Sequence, residues 1–169
     1  MAIGAPLELV ARTHLAALDE IRHTELSFAI AKELGGNGAH AGPLPALAPR
    51  EATIVRVAQD TLVEAAIPEL IAAREAHVAA ERCNVTSIAD ALRSIGDDEA
   101  RHAELAWDVL AWCRLREAVR LVIPSAPPFA SAGRVTDLEK LGVLEDGTRR
   151  AVAFDVWGTT ITARLSGLR

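Results

Sequence analysis

The octads Asp19–Leu26 (DEIRHTEL) and Asp98–Leu105 (DEARHAEL) are the same charged string, differing only at Ile21/Ala100 and Thr24/Ala103. Each lies inside a stretch with helical hydrophobic periodicity. Stepping by three and four residues from Glu99 gives the line Ile88, Leu92, Ile95, Glu99, His102, Ala106 and Val109; the same stepping from Glu20 gives Ala16, Glu20, His23, Ser27, Ile30 and Leu34. In both, a glutamate and a histidine sit one turn apart on the stripe that should face a core. A carboxylate there is costly unless its charge is offset. Two such pairs on facing helices would aim four donor groups at one volume, and carboxylate oxygen with imidazole nitrogen is a suitable donor set for iron, manganese or zinc.

The rest of each octad reads as a brace. Asp19 and Asp98 flank the stripe and can accept the second ring N–H of a ligand histidine, and Arg22 and Arg101 can pair with those aspartates across the bundle. Glu25 and Glu104 fall on the outer side, each three residues beyond its arginine, as weak surface partners. Between the octads, Asp60 and Glu64 share a helical line with Val57 and Ile71. Glu64 is the expected further metal ligand and Asp60 its support. Pro68 leaves the carbonyl of Glu64 without its helical partner, so a kink is expected at that ligand, or else a bend that only wraps the helix round the core.

Composition agrees with helices. Half of the 169 residues are hydrophobic, aromatics make up only 4% and tyrosine is absent, whereas sheets favour β-branched and aromatic side chains. Periodicity and stop signals predict helices over Pro6–Leu34, about Pro49–Arg82 and from a Thr86 or Ser87 cap to about Val122. Beyond a Pro/Ala loop come a short helix capped by Thr136 and a final one from Asp146. The expectation is an all-α, up-and-down bundle over 1–122, with a C-terminal helical extension over 134–169 packing on it. A net charge of −5, with no basic cluster, argues against a nucleic-acid partner. No apolar run has the length of a membrane span, and no signal peptide is visible, which makes a cytoplasmic location the expectation. Cys83 and Cys113 are isolated from each other, so they read as reduced thiols rather than a zinc or iron–sulfur site.

The D-E-x-R-H string on two helices resembles the motif of the ferritin-like carboxylate-bridged di-iron proteins. Those include multicomponent monooxygenases, acyl-carrier-protein desaturases and rubrerythrin-like proteins. The longer DDEARHAELAWDVLAW with ALDEIRH is similar to a set of bacterial ferritin-like domain proteins, over about residues 5–115 and more weakly through LGVLEDGTRRAVAFDVW. The resemblance implies a four-helix bundle holding two metal ions, with Glu20, His23, Glu64, Glu99 and His102 as ligands. The family's first helix, which supplies one more carboxylate, is lacking here. Glu8 is turned ~120° from Glu20 round the helix and cannot replace it. A homodimer or the C-terminal helix, through Glu139, Glu145 or Asp155, would fill the place; otherwise the chain starts late or the site is incomplete.

The function that follows is a non-haem dimetal protein handling O2, peroxide or Fe2+. The absence of tyrosine excludes a tyrosyl radical, and the absence of a four-cysteine segment calls for an external electron donor. Metal storage without turnover and a metal-free bundle acting as an interaction module are the rivals.

Overall fold

The computed structural model describes residues 3–36, 38, 40, 42–43, 51–131 and 138–168, and every regular element among them is helical. The expected first-turn position of Pro49 and the Thr136 cap lie outside the described residues. Two compact units are distinguished, Met1–Thr53 and Ile54–Arg169.

The first unit contains one long helix, α1 (Leu7–Glu33), within one residue of the expected span at each end. It stops where the glycines begin: Gly35 takes the left-handed conformation at φ 91° and donates its N–H to Lys32 O, as a helix C-terminus requires.

The second unit opens with a continuous helix made of three pieces: α2 (Ile54–Thr61), a π turn (Leu62–Ala66) and α3 (Ile67–Arg82). Pro68 explains the join. It has no N–H to give the Glu64 carbonyl, and the turn just before it widens so that Ile67 N–H reaches back to Leu62 O. The buried stripe records the extra residue, running Ala58, Leu62, Ile67, Ile71 in steps of four, five and four. Widening to a π turn is how the helix accommodates the proline.

After Cys83, whose extended backbone ends α3, the helix α4 (Thr86–Arg116) returns along α2 and α3. So short a connection makes the two antiparallel neighbours. Val85 stands at its N-cap and Thr86 is already helical, with no side-chain cap. The helix ends at Arg116 rather than near Val122, because the chain there turns extended. Gln59 of α2 takes both backbone groups of Val122, accepting its N–H at 2.7 Å and donating to its carbonyl at 3.1 Å. Val119, Leu121 and Ile123 pack on the core at the two-residue period of an extended segment.

A 3₁₀ turn (Glu139–Leu141), α5 (Asp146–Val156), a second π turn (Trp157–Ile161) and α6 (Thr162–Ser166) complete this unit. α5 lies against α3, and the core joins Leu62, Ile67, Leu110, Cys113 and Ile161, all essentially inaccessible to solvent. Burying each of those aliphatic side chains stabilises the fold by about 1.5–3 kcal/mol. Burial also pushes the Cys113 thiol above its ordinary pKa. Both cysteines are free. No helix among the described residues is long and apolar enough to cross a membrane.

Two glycines set close approaches. Gly142, at φ 85°, ends the 3₁₀ turn over α4, and a β-carbon there would stand 2.5 Å from Leu92 Cδ1. Gly96 lets α4 approach α3, since its β-carbon would meet the His77 ring at 2.8 Å and Ala73 O at 3.1 Å. Gly96→Ala and Gly142→Ala should each lower unfolding free energy in urea by roughly 1–3 kcal/mol. Gly147→Ala, which meets nothing within 4 Å in the first turn of α5, should be neutral or stabilising.

Glu139 clips the C-terminal segment to α3. Arg82 donates to both its oxygens at 2.8 Å, and Thr148 and the Glu145 N–H donate to it at 3.0 and 3.3 Å. Burial works to raise the Glu139 pKa, but these donors and the Arg82 charge outweigh it and hold the carboxyl below its usual value. A depressed folded-state pKa adds stability that is present above the unfolded value and is lost as pH falls through the folded one. Glu139→Gln should therefore destabilise the chain at neutral pH, and its melting temperature should converge with that of the wild type below the carboxylate range.

Candidate metal centre

The second octad lies in the middle of α4, and its glutamate and histidine turn inward as the stripe requires. His102 is 7% exposed, and the side chain of Glu99 is 13% exposed. The two face each other at 3.9 Å from Nδ1 to the carboxylate oxygen. Glu69, one residue after Pro68, brings a second carboxylate from α3 to the same Nδ1, also at 3.9 Å. Donor atoms of Glu69, Glu99 and His102 lie within 4.8 Å of one another.

These spacings are longer than hydrogen bonds. They suit a shared ion: donors placed ~2.1 Å from a first-row metal stand roughly 3–4 Å apart. Two carboxylates and one imidazole carry a formal charge of −2 as ligands, the hard, mixed O/N set that divalent iron, manganese or zinc accepts. The residues present therefore fit a metal.

Glu64, the expected carboxylate of this helix, does not join them. It sits in the π turn and is exposed. Glu69 is five residues further on, the same step by which Ile67 follows Leu62 in the buried stripe. A constant 3.6-residue period hides that step. The signals for it were Pro68 and the change of stride in the apolar residues around it. Asp60 is partly exposed and pairs with Arg56 at 3.5 Å.

Each arginine of the expected braces has an aspartate partner on its own helix. Arg101 donates to Asp98, three residues earlier on α4, and Asp98 is only 3% exposed. Arg22 lies 3.3 Å from Asp19 on α1 in the same relation. Spacings of three and four residues make neighbours on one helix. Glu104 departs from expectation as well. Its partner is Arg164 of α6, which also lies 5.5 Å over the ring of Trp107. Glu25 is exposed.

The first octad, in the other unit, keeps the same local form. α1 buries His23, and His23 Nδ1 lies 3.6 Å from Glu20, whose side chain is 57% exposed. The carboxylates considered as donors from the C-terminal region lie elsewhere. Glu139 is held by Arg82 and Thr148, and Glu145 and Asp155 are exposed.

Glu69→Gln should weaken binding of Fe2+ or Zn2+ at least as much as loss of a supporting group does, about 10–100-fold. Glu64→Gln should leave it unchanged in the same calorimetric titration. Compared with models of known families, with curated proteins and with solved structures, the chain gives no match.

Proposed function

We propose that this chain is a ferritin-like, non-haem dimetal carboxylate protein, with iron as the metal, that handles O2, peroxide or Fe2+. Each octad offers one Glu-x-x-His pair of donors, Glu20 with His23 and Glu99 with His102. The observation that carries the reading is the convergence of Glu69, Glu99 and His102, from two helices, at distances too long for hydrogen bonds and suited to a shared ion. The recurrence of D-E-x-R-H on a second helix supports a second ion.

Bound iron would supply Lewis-acid and one-electron redox chemistry. The residues of the chain do the remainder. Glu69 and Glu99 bring the negative charge that makes a divalent cation welcome in a partly buried place, and His102 presents a ring nitrogen. Asp98, fixed by Arg101 on the same helix, places a further buried negative charge in the turn before His102. Ala103 and Ala106 beside them are fully or almost fully buried, which limits access of water and keeps the donor set in the low-dielectric setting where charge pairing is strong. Electrons would come from a separate donor, because the chain has no four-cysteine segment.

A metal-free bundle serving as an interaction module is the second reading. It is favoured by the pairing of Asp19 with Arg22 and of Asp98 with Arg101, which balances octad charge without an ion.

Protein loaded anaerobically with Fe2+ should hold about two irons per chain, the number two Glu-x-x-His pairs imply. Iron should also raise the melting temperature, since a ligand bound by the native state alone adds stability. His23→Ala with His102→Ala should abolish both the iron and the shift. Trace iron that this double substitution leaves unchanged, with identical melting of apo and loaded protein, would establish the metal-free reading instead.

A further inference from the structure

α1 carries an apolar face turned to solvent. Leu7, Leu15, Leu18 and Ile21 are 81, 62, 61 and 58% exposed, although they belong to one 27-residue helix. At 100° per residue they cluster with Ala11 and His14 about a single direction. The positions 7, 11, 14, 18 and 21 alternate steps of four and three, the spacing that keeps one seam facing a second helix, and Leu15 lies beside that seam. Scattered exposed leucines are ordinary; a continuous line of them marks an interaction site.

We infer that this face pairs with α1 of a second copy of the chain, antiparallel and about a two-fold axis at Leu15. The helix is complementary to itself in that arrangement and in no need of a foreign partner. With Leu15 against Leu15 of the second copy, Ala11 and Ile21 of the second copy, like His14 and Leu18, lie within about 3 Å of one level along the axis. The same register brings Glu8 against Arg22 of the second copy, twice by symmetry. Both residues are exposed, and both flank the apolar line on the same side. Arg22 keeps its 3.3 Å contact with Asp19, so the approach of Glu8 extends an existing ion pair into a network. A two-fold pairing of this kind closes on itself, which makes a dimer and not a filament. A parallel arrangement would instead place Glu8 against Glu8 and Arg22 against Arg22, like charge on like.

Sedimentation velocity of the full chain at tens of micromolar tests the pairing. The wild type should run as a dimer, and Leu18→Glu as a monomer. Glu8→Arg and Arg22→Glu should each weaken the dimer at least tenfold, because each creates two like-charge contacts, and the double variant should recover it. All three positions are exposed, so helical content by circular dichroism should not change. Should any variant unfold, Leu15→Cys in a Cys83→Ser background gives the same answer. It should link rapidly across the axis on oxidation, while Leu7→Cys should not. A monomeric wild type, a dimer indifferent to Leu18→Glu, or a double charge variant no better than either single one would overturn the pairing.

Discussion

Pro68 withholds one hydrogen bond, and the geometry of the second unit follows from how the helix absorbs that loss. An amide missing at position 68 leaves the Glu64 carbonyl without its partner. The helix widens over Leu62–Ala66, with Ile67 bonded five residues back to Leu62. One added residue turns everything beyond it by about 100° relative to an unbroken α-helix. Ile67 and Ile71 thereby continue the buried line begun by Ala58 and Leu62. Glu64 is left on the outside, and Glu69 faces His102. The proline, the hydrophobic stripe and the charged group are one register problem with one solution. π turns recur at functional positions in helices because they reorient a side chain without ending the element.

Much of this was legible in the residues themselves. The all-helical class, α1 and its glycine stop, the run of α4 through the second octad and the inward placement of Glu99 and His102 all follow from a 3.6-residue period read literally. Two of the departures share a cause, which is that local period gave way to a specific partner elsewhere in the chain. Gln59, far away in sequence, captures the backbone of Val122 and ends α4 early. Arg164 takes Glu104 away from Arg101. The third, Glu69 rather than Glu64 beside His102, arises because the period itself changes inside the helix. Only the last had a visible local signal, in Pro68 and the five-residue stride from Leu62 to Ile67.

The charges of α4 also divide cleanly by role. Asp98, although buried, accepts from Arg101 one turn further on. Glu99 and His102, interleaved with them, are held at 3.9 Å and face a third group from another helix. The octad thus combines an ion pair within one turn with a Glu–His pair spaced wider than a hydrogen bond. On α1 the repeat preserves the same division, with Asp19 against Arg22 and Glu20 against His23.

X-ray absorption at the iron edge of the loaded protein tests the metal reading most directly. The account predicts a first shell of oxygen and nitrogen at about 2.0–2.2 Å, outer scattering from imidazole that weakens in His102→Ala, and a metal–metal vector near ~3.5 Å. A shell of oxygen alone, without imidazole scattering and indifferent to His102, would contradict it.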